Sequence, residues 1–266
     1  MRIIGGELRR RQLLSPPEGT ITRPMPDMVR EALFNLLRGH CEKAAVFDGF
    51  SGTGALGLEA VSRGASRCVC VERDRRMAEV LSANVRALGV EDRVEVVIGD
   101  VLGPGALARC PRPVHLVFFD PPYPMVRSEA GWHRIRLQFA RFVSLLDDTG
   151  YAILRTPWPF VHDLDDEPAP AQAKRPSRTR GKRWKYDPVR DPQSPHEEWF
   201  EGEALESLLA DPECAAESAD SALPESGSDT TPPPIPGDLR VEGAVGPETH
   251  VYGHTAVHLY MRQRNA

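Results

Sequence analysis

The chain lacks several features that would assign it to other classes of protein. It has no apolar run of the roughly 18 residues that a transmembrane helix needs. Its first residues, Met1–Gly6, carry no apolar stretch or cleavage site typical of a signal peptide. Its five cysteines include no Cys-x-x-Cys pair, which disfavours a disulfide framework or a zinc site. These absences predict a cytoplasmic protein with no membrane partner and no metal.

Positive charge is missing from one long stretch. Residues 191–239 hold 13 of the 38 acidic residues and no Lys or Arg. The formal net charge of −5 is therefore unevenly distributed. Outside this stretch the chain is basic, with all 33 Lys and Arg against the other 25 acidic residues. A basic body suits a polyanionic partner, although many basic domains bind no nucleic acid.

Strands and helices alternate along the first 155 residues. The apolar patterns predict strands at 44–48, 67–72, 93–98, 115–119 and 151–155, and helices at 55–63, 75–87 and 132–146. A further helix is expected after Pro26, with Met28, Val29 and Leu36 on its apolar face. The order predicts a doubly wound, mostly parallel α/β sheet. Strands near 239–241 and 254–262 are expected to close it with an antiparallel C-terminal hairpin.

The organisation predicted from composition has three parts. Residues 1–22 form a basic N-terminal arm or hairpin, and residues 23–160 with 237–266 form one catalytic domain. Residues 161–236 are rich in proline and acidic residues, which is typical of a disordered insertion. A short helix near 199–209 is possible within it. Its basic strip, 174–185, could contact RNA, pair with the acidic stretch or form a solvated tract.

A glycine loop follows the first predicted strand. It begins after Asp48 and comprises Gly49, Phe50, Ser51, Gly52, Thr53 and Gly54. Such a loop lets a backbone approach a nucleoside cofactor, although it also serves NAD, FAD and plain tight turns. Glu72, at the end of the next strand, could accept the hydroxyls of a ribose, or it could be a solvated charge. Asp100 could accept from an adenine amino group or cap a helix. No Gly-Lys-Ser/Thr motif is present to bind a triphosphate.

The segment Asp120, Pro121, Pro122 and Tyr123 ends the fourth strand. A carboxylate and a proline-fixed carbonyl could accept both hydrogens of an aromatic amine and free its lone pair. Tyr123 could stack on the base, which contributes roughly 1–3 kcal/mol. A plain proline turn is the other interpretation. With the glycine loop on the same sheet, the segment favours methyl transfer to a nucleobase.

These motifs resemble the RsmD family of bacterial 16S rRNA guanine-N2 methyltransferases. The resemblance covers about residues 1–155 and 238–266, and its matching segments are Arg2–Gly6, Arg9–Leu13, Thr22–Asn35, Asp48–Arg63, Asp120–Tyr123 and Ala256–Arg262. It implies a class I methyltransferase (Rossmann-like) fold, S-adenosyl-L-methionine as cofactor, and 16S rRNA within a 30S subunit or assembly intermediate as partner. It also implies that Asp48, the glycine loop, Glu72 and Asp100 hold the donor, and that Asp120, Pro121 and Tyr123 hold the guanine amine.

Arginines are the candidate RNA contacts. The arm carries Arg2, Arg9, Arg10 and Arg11, and two further arginines, Arg23 and Arg30, could face the pocket; a solvated surface is the alternative. The chain departs from the family's Arg-Pro-Thr pattern at Met25, and the acidic insertion is foreign to compact members.

Two other functions remain open from the sequence. A DNA adenine-N6 or cytosine-N4 methyltransferase shares the logic of the Asp-Pro-Pro-Tyr segment. A non-catalytic ribosome-assembly protein could retain an inherited pocket. A glutamine-N5 protein methyltransferase is disfavoured, because those enzymes typically carry Asn where this chain has Asp120.

Overall fold

A mixed seven-stranded sheet forms the core of the part of the chain that we describe, from a computed structural model, over residues 1–17, 19, 24–162 and 235–264. Its strands are β1 Ala45–Gly49, β2 Arg67–Glu72, β3 Val94–Ile98, β4 Val114–Phe119, β5 Leu146–Pro157, β8 Ala244–Tyr252 and β9 Thr255–Arg262. The strand order is β3-β2-β1-β4-β5-β9-β8. Strands β1 to β5 run parallel, and β9 pairs antiparallel with both β5 and β8.

The chain reverses its direction of strand addition between β1 and β4. It builds outward from β1 to β3, then returns to place β4 on the other side of β1. In open α/β sheets, ligands bind beyond the carboxyl ends of the strands at such a reversal. The sheet order therefore defines one candidate rim, at the ends of β1, β2 and β4.

Helices cover both faces of the sheet. They are α1 Asp27–Leu36, α2 Ala55–Ser62, α3 Arg75–Leu88, α4 Pro104–Arg109, α5 Tyr123–Arg127 and α6 Glu129–Val143. Alternate strand residues enter opposite cores: Val46 and Phe118 pack with the helices α1 to α3, whereas Phe47 and Phe119 pack with α6. This alternation is what a strand buried on both faces requires. The predicted doubly wound sheet with an antiparallel C-terminal hairpin is thus confirmed.

Several predicted bounds were wrong. Helix α6 ends at Val143, and β5 already begins at Leu146, inside the predicted helix. The short helices α4 and α5 were not predicted. On α1, Met28 was expected on the apolar face but is 72% exposed. Cys68 and Cys70 are fully buried on β2.

The last hairpin also differs from its prediction. The partner of β9 is β8, not a strand at 239–241. The sequence of β8 contains Gly246-Pro247, where the pairing with β9 shifts register between Val245 and Glu248. Proline removes a backbone donor, so it is tolerated on an edge strand, which is where β8 lies. Because Gly246-Pro247 is typical of a turn, the sequence did not predict strand β8.

The ends of the predicted insertion meet in a small second sheet. Strand β6, Val161–His162, pairs antiparallel with β7, Ile235–Pro236. The interior of the insertion, including the possible helix near 199–209 and the basic strip 174–185, lies outside the described residues. Within the described part of the chain, no helix is long and apolar enough to cross a membrane.

Candidate active site

The loop between β1 and α2 is held by hydrogen bonds from the neighbouring strand. The Ser51 amide donates to the Val71 carbonyl at 3.1 Å, and the Ser51 hydroxyl donates to the Asp48 carbonyl at 2.6 Å. The Gly52 amide donates to Glu72 Oε2 at 2.9 Å. The end of β2 thereby shapes the loop that follows β1.

Glycine is required in this loop for two different reasons. Gly54 has a φ of +88°, and a Cβ there would lie 2.3 Å from Leu81 Cδ1. Gly52 has a φ of +56°, but a Cβ there would meet nothing within 4 Å. Gly54 therefore allows α2 to pack close to α3, whereas Gly52 leaves its backbone open to a ligand.

Asp48, at the end of β1, is buried and only half satisfied. Its Oδ2 accepts from the Gly57 amide at 2.9 Å, while its buried Oδ1 has no hydrogen-bond partner among the described residues. Burial raises the pKa of Asp48 to about 8, and the carboxylates of Asp120 and Glu72 add to that rise. A buried acceptor without a partner normally has a reason. A cationic or hydrogen-donating ligand group would satisfy it.

The two other predicted cofactor residues differ in their settings. Glu72 accepts from Gly52 through Oε2 and from the Asp74 amide through Oε1 at 2.8 Å, so both its oxygens organise the rim. Asp100 accepts from the Leu102 amide at 3.0 Å, and Gly103 rather than Asp100 precedes α4 as its N-cap. Asp100 Oδ2 lies 3.7 Å from Arg134 Nη2.

Asp120 follows β4 and forms an ion pair with Arg155 of β5. Arg155 Nε donates to Asp120 Oδ1 at 2.5 Å, and both side chains are largely buried. Burial raises the pKa of Asp120, and Arg155 opposes that rise through its charge and hydrogen bond. The register of β4 with β5 pairs Phe119 with Leu154, so it places the next residues, Asp120 and Arg155, side by side.

The two prolines after Asp120 differ in burial and in the use of their carbonyls. The Pro122 carbonyl accepts from the amides of Met125 and Val126 at 3.0 and 3.2 Å, so it starts α5. Pro121 is buried, and Pro122 is exposed. Of the two proline carbonyls, that of Pro122 is thus occupied by the helix.

Tyr123 joins the site to the last strand. Its hydroxyl donates to Thr255 Oγ1 at 2.9 Å, and Thr255 Oγ1 donates to the Thr156 carbonyl at 3.2 Å. The Arg155 guanidinium carbon lies over the Tyr123 ring, 5.2 Å from its centroid. These contacts fix the ring in position and cover one of its faces with a cation.

The basic arm is attached to α2. Glu59, which is fully buried, accepts from the amides of Ile4 and Gly5 at 2.8 Å. Gly6 has a φ of +78°, and a Cβ there would lie 1.8 Å from the Ser62 carbonyl oxygen. The attachment leaves four predicted RNA contacts exposed, namely Arg2, Arg9, Arg10 and Arg11.

The two remaining predicted RNA contacts are placed differently. Arg30 is fully buried, and its Nη2 donates to the Arg2 carbonyl at 2.7 Å and to Asp27 Oδ1 at 2.9 Å. In this position it braces the arm against α1, which corrects the expectation that it contacts RNA directly. Arg23 lies outside the described residues. Met25, the departure from the family pattern, is buried in the core.

Sequence reasoning missed two residues that organise the site. Arg155 was seen only as the last residue of a predicted strand, and Glu59 only as part of a matching segment. The position of Arg155 at the end of a predicted strand, on the rim where ligands bind, could have indicated that it belongs to the site. A glutamate on the inner face of α2, where apolar residues are expected, is a signal for Glu59.

The fold and the rim together define a class I methyltransferase architecture. The chain belongs to the family described as "Conserved hypothetical protein 95", whose model matches residues 1–137. This confirms the resemblance to the RsmD family. Ribosomal RNA small subunit methyltransferase D of Escherichia coli strain K12 is 40% identical over 123 residues, covering 46% of this chain and 60% of that protein.

A second curated relative gives a similar picture. YlbH of Bacillus subtilis strain 168, named as a candidate rRNA methyltransferase, is 34% identical over 124 residues, covering 46% of this chain and 67% of its own. The match thus spans 67% of the length of YlbH and 60% of the length of the Escherichia coli relative. Among solved structures, the Escherichia coli protein yhhF, named as a candidate methyltransferase, shares the fold with a TM-score of 0.57 at 23% identity. That alignment covers 99% of this chain and 98% of yhhF.

Proposed function

We propose that the protein transfers a methyl group from S-adenosyl-L-methionine to the exocyclic N2 of a guanine in 16S rRNA. The observation that carries the proposal is the adjacency of two sites on neighbouring strands. Asp48 lies near the end of β1 and the glycine loop continues from it, whereas Asp120 and Tyr123 follow β4, which pairs directly with β1. A donor on the first and a flat amine on the second would meet at one rim.

The donor side fits S-adenosylmethionine through its unsatisfied carboxylate. The cofactor, when bound, supplies a methyl group on a sulfonium and carries an ammonium that could donate to Asp48 Oδ1. The open backbone at Gly52 would allow close approach, and Glu72 and Asp100 would face the ribose and adenine. Asp48 would be drawn into its ionised form by the cationic ligand.

The acceptor side would hold the amine of an unstacked guanine. Asp120 and the Pro121 carbonyl would accept its two hydrogens, because the Pro122 carbonyl is already used by α5. This would leave the nitrogen lone pair free to form the new N–C bond as the S–CH3 bond of the sulfonium breaks and leaves a neutral thioether. The methylated amine would then lose one proton to solvent. Tyr123 would stack on the base. Most of the acceleration would come from positioning.

The substrate would be rRNA in a 30S subunit or an assembly intermediate, in the cytoplasm. The names of the relatives support rRNA, and the exposed arginines of the arm support a phosphate backbone as partner. The target base would be flipped out or already unpaired, because an amine within a helical stack cannot reach the donor.

The experiment is radiolabelled methyl transfer to 30S particles, naked 16S rRNA and duplex DNA, followed by digestion to nucleosides. We expect label in N2-methylguanosine from the ribosomal substrates. Label in N6-methyladenine or N4-methylcytosine from DNA would contradict the proposal and identify a DNA enzyme. Donor binding without transfer to any acceptor would instead indicate a non-catalytic assembly protein.

A further inference from the structure

We infer that Arg155 is a positioning residue that keeps the Asp120 carboxylate ionised and aimed at the acceptor amine. The inference rests on the proposed function, and it assigns a role within that site to a residue outside its motifs. It starts from the ion pair of 2.5 Å between Arg155 Nε and Asp120 Oδ1.

The charge of Asp120 decides whether the clamp can work. An ionised carboxylate only accepts hydrogen bonds, so it can hold an N–H of the base. A protonated carboxyl carries an O–H donor on one of its oxygens, so that oxygen is less able to accept an N–H of the base. A buried carboxyl is prone to protonation, because its charged form is poorly solvated. A neighbouring cation therefore favours the ionised form of Asp120, in which both oxygens only accept hydrogen bonds.

The groups around Asp120 show which of them can stabilise its negative charge. From β1 the neighbouring titratable group is Asp48, whose carboxylate repels another negative charge. From α5 it is the phenol of Tyr123, whose hydroxyl donates to Thr255 Oγ1 of β9. His258 of β9 lies behind Thr156, at 2.9 Å from its Oγ1, and burial lowers its pKa to about 4, so it is neutral. Among the described residues, the cation that forms an ion pair with Asp120 is Arg155.

Arg155 also selects the face on which a base can stack. Its guanidinium lies over one side of the Tyr123 ring. A base must then approach the opposite side. One residue therefore links the charge of Asp120 with the geometry of Tyr123, and both effects act on the acceptor rather than on the donor.

The test compares Arg155→Met with Arg155→Lys across the pH range. In Arg155→Met, we expect the acidic limb of the kcat profile to move up by about one pH unit or more. Transfer should fall about tenfold on the acidic side of that limb and recover towards the wild-type rate at higher pH, where Asp120 is ionised in both proteins. Arg155→Lys should restore much of the low-pH rate, because it restores the cation. The matched control is Arg262→Met, which removes a half-buried arginine paired with the exposed Asp148 at 2.6 Å.

Two further measurements separate this role from a structural one. Carbon-13 NMR titration of the Asp120 carboxyl, assigned by its loss in Asp120→Asn, should show a higher pKa in Arg155→Met, whether or not the protein methylates rRNA. In an Asp120→Asn background, Arg155→Met should have little further effect on kcat. An unchanged Asp120 titration, or an equal loss of rate at all pH values, would overturn the inference. Absence of transfer by the wild type would overturn the proposed function alone.

Discussion

The two halves of the rim use buried carboxylates in opposite ways. On the donor half, Asp48 is buried beside other acids, with one oxygen unsatisfied and no protein cation among its described contacts. On the acceptor half, Asp120 is buried beside Arg155. The proposed ligands explain the difference, since the donor is cationic and guanine is neutral. Because the proposed donor is a cation, Asp48 needs no positively charged side chain beside it. Because guanine is neutral, the protein supplies the cation for Asp120 itself, through Arg155.

The largest expected effect breaks the acceptor half. Asp120→Asn replaces an acceptor-only carboxylate with an amide and leaves Arg155 without its anion. We expect kcat for methyl transfer to fall on the order of 10³-fold, with donor affinity changed less than about threefold. Single-turnover transfer and calorimetric titration of the donor measure the two quantities. Asp148→Asn, at an exposed ion pair, is the matched control. A comparable loss of donor affinity would contradict the division of the rim.

The next effect breaks the donor half. Asp48→Asn should weaken donor binding about 100-fold, because it removes the anion that a cationic ligand would meet. It should also raise the free energy of unfolding of the ligand-free protein at pH 7 by about 1–3 kcal/mol. The pKa of Asp48 is raised from 3.8 to about 8, so the stability of the wild type falls as pH rises between those values. Thermal melts without ligand test this, and a lower Tm would refute it.

The pH dependence of donor binding sharpens the same point. If the donor binds the ionised form of Asp48, its affinity should weaken as pH falls below about 8, approaching tenfold per pH unit. Calorimetry between pH 6 and 9 measures this slope. In Asp48→Asn the slope should disappear. A slope that survives the substitution would assign the titration to another group.

A smaller effect concerns the arm, which lies outside both halves. Changing Arg9 and Arg10 to Gln should weaken rRNA binding about tenfold at 0.15 M salt. It should lower the slope of log affinity against log salt by about 0.7–0.9 per arginine. Arg67→Gln, at an exposed ion pair with Glu95, is the control. Unchanged salt dependence would remove the arm from the RNA interface, and donor affinity should stay constant throughout.

The smallest effect tests how the acceptor ring is held. Tyr123→Phe keeps the stacking face but loses the hydrogen bond to Thr255. A hydrogen bond of this kind contributes about 1 kcal/mol, so we expect about a fivefold rise in KM for rRNA. Steady-state kinetics measure it, with Tyr151→Phe as a control on the same sheet. A loss as large as that of Asp120→Asn would give the hydroxyl itself a chemical role.

Much of the fold could be predicted from the chain. The alternation of apolar strands with helices, and glycines such as Gly54 and Gly89 at helix ends, depend on local sequence. The strand β8 could not be predicted, because its pairing with β9 overrides a Gly-Pro that reads locally as a turn. The insertion remains a prediction from composition, since its interior lies outside the described residues.

The sequence by itself determined which side chains gather at the rim, because parallel strands end at one edge and Asp48, Glu72 and Asp120 each lie within one residue of a strand end. Only the tertiary structure decided which of them is paired. Arg155 is 35 residues from Asp120 along the chain and is brought to it by strand register. Nothing in the sequence distinguishes Arg30 from the exposed arginines, yet it is buried between the arm and α1. Burial and pairing depend on long-range packing, and these decide the charge of a side chain.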